Sequence, residues 1–155
     1  MAHPAEEVAA TVAAYVKLRE QIEAGEATWT DLAQFFTDDV VYIDPAWGRV
    51  EGIAEIRAFL DESMRGLEDW RFPIELTAVD GDDVVVRWTQ VLPSGKRQSG
   101  MSTLHYAGDG KFDYEYDIFN MVQIFEVMKE SNWTPTGPLN AVPDPPNRDV
   151  TPPKR

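Results

Sequence analysis

The stretch "VVYIDPAWGRVEG", residues 40–52, decides how this chain folds. Val40, Val41, Tyr42 and Ile43 are all β-branched or aromatic, the composition of a strand packed on a core. Asp44 and Pro45 end that strand. Asp44 has two readings. An aspartate before proline opens a turn, its side chain bonded to the backbone ahead. Equally, a carboxylate at a strand end can face an apolar pocket and take a proton from carbon. Beyond the strand a loop runs to Gly52. "IAEIRAFLDESMRGL" (53–67) then has helical spacing, with Ile53, Ile56, Phe59, Leu60 and Met64 on one side.

Upstream of this stretch the pattern is helical. Pro4, Glu6 and Glu7 suit a helix start, and Val8, Val12, Tyr15, Val16 and Ile22 recur with helical period until Gly25. Thr30 is the expected cap of a short helix carrying Leu32, Phe35 and Phe36. Downstream the period switches to two. "WRFPIELTAV", "VVVRWTQVL", "RQSGMSTLHYA" and "FDYEYDIFNM" read as strands, separated by "DGDD", "PSGK" and "GDGK" turns. "VQIFEVMKESNW" reads as a closing helix. The order predicts an α+β fold: helices on one face of a curved, mostly antiparallel meander, making a cone with an apolar interior suited to a small ligand. Residues 1–133 form one domain, and 134–155 form a proline-rich extended tail.

Composition narrows the function. A net charge of −13 repels phosphate backbones, so nucleic acid is not an expected partner. No run reaches the length of a membrane span, and the amino terminus lacks the basic and apolar segments of a signal peptide. A cytoplasmic protein is expected. Cysteine is absent, which removes disulfides and thiol chemistry. The two histidines, His3 and His105, cannot supply an ordinary histidine metal site, and no glycine-rich phosphate cradle is present. No metal or organic cofactor is expected.

The run "AAYVKLREQIEAGE…LAQFFTDDVVYIDPAWGRVEGIAEIRAFL" resembles the NTF2-like superfamily, which holds ketosteroid isomerases, SnoaL-like polyketide cyclases and limonene-epoxide hydrolases. The similarity covers roughly residues 5 to 128. It rests on a tyrosine in the first helix, a strand ending in Asp-Pro, and a following "G-x-x-x-IR-x-F". The resemblance to ketosteroid isomerases implies Asp44 as general base, Tyr15 as donor to the substrate oxygen, and Ser102 at the position of their second, carboxylic donor. "YEYDIFN" is similar to the last strand of SnoaL-like cyclases, which implies a proton-transfer role for Asp117. The epoxide hydrolases' Arg-x-Asp pair corresponds to Arg87-Trp88-Thr89, with threonine in place of the acid.

Strand alternation puts Glu115, Asp117 and Phe119 on one face of the last strand, and Tyr114, Tyr116 and Ile118 on the other. By the resemblance the first set points into the cone, with Glu115 itself expected to be solvated or at an interface. Trp47, Trp88 and Phe119 are candidate pocket walls or simply sheet packing; Phe59 and His105 complete the candidate substrate contacts. Three functions follow as expectations. The first is cofactor-independent proton transfer on a small apolar carbonyl compound such as a steroid, polyketide or terpenoid. The second is ligand or partner binding without chemistry. The third is epoxide hydrolysis by a water held between Asp117, Arg87 and Thr89. A homodimer through the outer face of the sheet is also expected, with the tail laid on a partner.

Overall fold

The structure, a computed structural model, describes residues 2–140 and 142–154. Helix α1 (Ala5–Glu23) is followed by a 3-10 turn (Trp29–Phe35), strands β1 (Phe36–Asp44) and β2 (Gly48–Glu51), and helix α2 (Ile53–Glu62). Strands β3 (Ile74–Asp80), β4 (Asp83–Val91), β5 (Arg97–Gly108) and β6 (Lys111–Phe119) come next, and helix α3 (Met121–Glu130) closes the domain.

One six-stranded sheet runs in the order β2-β1-β6-β5-β4-β3. The predicted meander is there from β3 to β6, all antiparallel. Two features depart from expectation. The loop after Asp44 contains a short strand that the sequence conceals: β2, four residues long, which pairs antiparallel with β1. In addition, β1 lies parallel to β6, so the sheet is mixed. The reason is topological. A strand arriving after the helices must lie beside the last strand of the meander for its Tyr42 face to join the same interior. The 3-10 turn also begins earlier than expected. Asp31 accepts from the backbone N–H and hydroxyl of Thr28, at 2.8 and 2.9 Å, so Thr28 rather than Thr30 caps it.

Helix α1 lays Val8, Val12, Tyr15, Leu18, Arg19 and Ile22 on the inner face of the sheet. This stripe at spacings of three and four is why an otherwise Ala- and Glu-rich segment docks there. On β4 and β5 the buried residues alternate: Val84, Val86 and Trp88 on one, Ser102, Leu104 and Tyr106 on the other. Paired registers carry this alternation across the sheet. Tyr42 lies beside Glu115, Glu115 beside Leu104, and Leu104 beside Val84. Two residues along, Asp117, Ser102 and Val86 form the next inward row, and Phe119, Gly100 and Trp88 the one after.

Gly100 permits that last row to close. A Cβ built there would stand 2.3 Å from the Trp88 ring, so the indole lies flat over the glycine. Gly100→Ala must push a buried indole aside, an overpacking change of about 1–3 kcal/mol. Urea denaturation of that variant is expected to show a loss of stability in this range, with an unchanged m-value.

Candidate functional site

The inward rows of the sheet, α2, α3 and the 3-10 turn enclose a cavity of about 310 Å³. Its walls are mainly aromatic: Phe59 packs on Tyr42 with centroids 4.9 Å apart, Trp47 on Phe59 at 5.7 Å, and Trp88 on Phe119 at 5.9 Å. The carboxyl groups of Asp44, Glu115 and Asp117 project into this apolar space, and Glu62 stands at its border.

Asp117 is held on both oxygens. Ser102 Oγ donates to Oδ1 at 2.5 Å, and Tyr42 Oη donates to Oδ2 at 2.6 Å. Ser102 in turn accepts from Trp88 Nε1 at 3.0 Å. Burial raises the Asp117 carboxyl to about 6, the charge of Asp44 adds to the rise, and the two hydroxyl donors oppose it. Tyr42 is pushed well above its usual range by burial and by the nearby carboxylates, so it stays a donor.

Glu115 sits two residues back on the same strand face and is only 2% exposed. Its Oε2 has no hydrogen-bond partner. Burial, then the adjacent Asp117, holds this carboxyl well above the ordinary range, which favours its protonated, donating form. Arg19 is the cation of the interior. Its Nη2 donates to the Phe72 carbonyl at 2.9 Å, its Nη1 to Tyr15 Oη at 3.4 Å, and its guanidinium lies 4.8 Å from the Trp29 ring centre. Tyr15 is therefore an acceptor from Arg19 and keeps its own proton to donate. Burial and Glu115 raise its pKa, so the hydroxyl remains neutral.

Asp44 satisfies both of its readings at once. Oδ1 accepts from the backbone N–H groups of Ala46 and Trp47, each at 2.7 Å, as a turn aspartate does. The residue nevertheless lines the cavity, and burial raises its pKa against those two donors.

Tyr15, Asp44, Asp117, Ser102, Trp47, Trp88, Phe119 and Phe59 are thus brought together around one cavity. Several expectations change. Ser102 spends its proton on Asp117, so it orients a carboxylate instead of donating to a substrate oxygen. His105 lies on the opposite face of β5, where Nδ1 meets Asp113 Oδ1 at 2.8 Å, because odd-numbered positions there point away from the helices. Arg87 also faces outward, against Glu75 at 3.7 Å, and Thr89 bonds Glu75 at 2.5 Å; the water site between Asp117, Arg87 and Thr89 does not form. Glu115, expected at a solvated position, is the most deeply buried acid of the cavity. Its i, i+2 relation to Asp117 was the available signal. Arg19 had no such signal, since one arginine in an amphipathic helix ordinarily marks its wet side. Among the described residues no cluster of three or more acidic or histidine side chains is arranged to hold a metal ion. Nor is any helix long and apolar enough to cross a membrane.

The family model of the SnoaL-like domain matches residues 8–114. No curated protein has a matching sequence. Among solved structures, a protein provisionally named a SnoaL-like polyketide cyclase, from Jannaschia sp. CCS1, superposes with a TM-score of 0.60 at 20% identity, over 77% of this chain and 90% of its own. TerC, crystallised with polyporic acid, superposes with a TM-score of 0.58 at 20% identity, over 77% of this chain and 98% of its own. A protein from Kribbella flavida DSM 17836, provisionally named a ketosteroid isomerase, gives 0.56 at 23% identity, over 72% and 76%. At these identities the likeness is one of fold.

The raised Asp117 pKa has a signed consequence for stability. A carboxyl whose pKa is higher folded than unfolded binds more protons in the native state, so its contribution falls as pH rises through the window ending near 6. Asp117→Asn removes that dependence. Relative to the wild type, the variant is expected to gain stability between pH 4 and pH 7 in urea denaturation; a difference that stays flat with pH contradicts the assignment.

Proposed function

This chain belongs to the SnoaL-like family, and from that premise we propose that it catalyses proton transfer on a small, mostly apolar carbonyl compound without a cofactor. The observation that carries the reading is the placement of Asp44 and Asp117 on one aromatic cavity, with the Tyr15 hydroxyl and the Glu115 carboxyl between the same walls. The names of the fold neighbours, a polyketide cyclase and a ketosteroid isomerase, are in keeping with this chemistry.

The reaction is an isomerisation through an enolate. Asp44 takes a proton from the carbon beside the carbonyl, and the electron pair moves onto the carbonyl oxygen. Tyr15 and Glu115 donate hydrogen bonds to that oxygen. Such donors act where charge develops and stabilise the transition state more than the ground state. Asp117, protonated, delivers a proton to a second carbon as the enolate collapses, and solvent at the mouth returns Asp44 and Asp117 to their starting states. Glu115 thereby takes the place that the resemblance gave to Ser102. A carboxylic acid is the stronger donor, and the apolar site keeps it neutral.

The test is exchange of carbonyl-adjacent hydrogens for deuterium in ketones of steroid, polyketide and terpenoid type, followed by NMR. Asp44→Asn is expected to slow exchange by about 10²- to 10⁴-fold, the usual worth of one general base. Tyr15→Phe and Glu115→Gln each remove one donor and are expected to cost about 10²- to 10³-fold. Because Asp117 acts protonated, activity should fall as pH rises past about 6. Ligands that bind but exchange nothing in the wild type would point to a binding protein instead.

The homodimer belongs to the same proposal. Met101 and Ile118 are exposed side by side on the outer face of β5 and β6, and Leu76, also exposed, lies farther along the same row on β3, beyond Arg87 of β4. Apolar surface of this kind supports pairing of two sheets. Sedimentation at micromolar concentration is expected to give twice the chain mass, and Met101→Glu with Ile118→Lys to return it to one.

A further inference from the structure

The proline-rich tail lies outside the residues matched by the family, and it lies against its own domain. Thr136 N–H donates to the Gly66 carbonyl at 3.1 Å, and Asn140 Nδ2 donates to the Glu62 carbonyl at 3.1 Å. Farther on, Arg49 N–H donates to the Asn147 carbonyl at 2.8 Å, and Arg49 Nη1 to the Thr151 carbonyl at 2.6 Å. Tyr114 Oη donates to the Val150 carbonyl at 2.9 Å.

The body is shaped to receive this segment. A Cβ at Gly48 would stand 2.6 Å from the Asn147 carbonyl oxygen and 2.9 Å from its nitrogen. A Cβ at Gly66 would stand 2.7 Å from Leu139 Cδ2 and 2.9 Å from the Gly137 oxygen. Two glycines, one opening β2 and one in the turn after α2, thus leave room for tail residues that any other residue would displace. Prolines suit the segment because an extended chain restricted in φ loses little entropy on docking.

The docked tail reaches the cavity at two places. Leu139, Asn140 and Val142 line its rim, opposite Glu62, Met64 and Arg65. The Arg148 guanidinium donates to the carbonyl oxygen of Pro45, the residue between Asp44 and the Ala46 N–H that holds Asp44 Oδ1.

We propose that the tail is a working wall of the site: Leu139 and Val142 limit what enters the pocket, and Arg148 is a positioning residue for the Asp44 turn. The second half rests on reading Asp44 as a functional carboxylate. Opposing effects act on Asp44. Burial disfavours its ionised form and Arg148 favours it, while the charge of Asp44 raises Asp117 on β6. Glu115, Glu62 and Arg65 border the same cavity, Arg65 being paired with Asp61.

The experiment uses the full chain and needs no turnover. Carbonyl-carbon NMR of ¹³C-labelled aspartates gives the Asp44 titration in the wild type, Arg148→Ala and Arg148→Lys. The midpoint is expected to move upward in Arg148→Ala and to be restored at least in part by lysine. The Ala46 and Trp47 amide signals report whether the turn is kept. An Asp44 midpoint unmoved in Arg148→Ala overturns the role of Arg148. For the wall, acrylamide quenching of tryptophan fluorescence is compared between the wild type and Leu139→Ser with Val142→Ser. A steeper quenching slope is expected, since Trp47 and Trp88 lie behind that rim. An unchanged slope overturns the wall. If the double change unfolds the protein, Leu139→Ala serves in its place. Failure of the carbonyl chemistry would appear in the deuterium exchange and leave both readouts intact.

Discussion

Glu115 and Asp117 stand two residues apart on β6, both pointing into an aromatic cavity, and the organisation of the interior follows from that burial. Two ionised carboxylates so close in an apolar space would repel each other and lack water. The fold answers with one cation, Arg19, and a set of hydroxyl donors. Both carboxyls are raised by burial, Asp117 to about 6 and Glu115 well above the ordinary carboxylate range. Different proton affinities for adjacent acids are what acid–base chemistry requires. They arise here from the burial that strand alternation imposes on both groups, together with the Ser102 and Tyr42 hydroxyls that hold Asp117 down.

The same interior shows why individual residues cannot be assigned from type alone. Ser102 carries a hydroxyl at the position where relatives by resemblance hold a carboxylic donor, yet its proton is directed at Asp117. Asp44 is a turn residue and a cavity residue together, since a carboxylate has two oxygens and the turn uses one of them. Its basicity is therefore set by a balance between desolvation and two backbone donors. The tail adds a third influence from a segment more than 100 positions away.

Much of this arrangement was legible in the chain. The apolar stripe of α1, the strand before Asp44 and the alternation along β4 to β6 gave the fold class and the two faces of β6, and the resemblance indicated which of those faces is the inner one. These are local periodicities, and they survive in any context that supplies a core. The short strand β2 and the parallel pairing of β1 with β6 were not legible. A four-residue strand carries too little pattern, and pairing direction depends on where the chain returns.

By itself, then, the sequence determined which face of each element is apolar, where Asp44, Tyr15 and Asp117 fall on those faces, and that the prolines of 134–155 break every helical or strand pattern. Only the tertiary structure decided that Glu115 is buried, that Arg19 is the interior cation, that Ser102 serves Asp117, that His105 and Arg87 face away, and that the tail borders the cavity. The reason is physical. Periodicity reports how a segment is oriented relative to some core, whereas a proton's partner and a carboxyl's pKa depend on the groups that distant segments bring within a few ångströms.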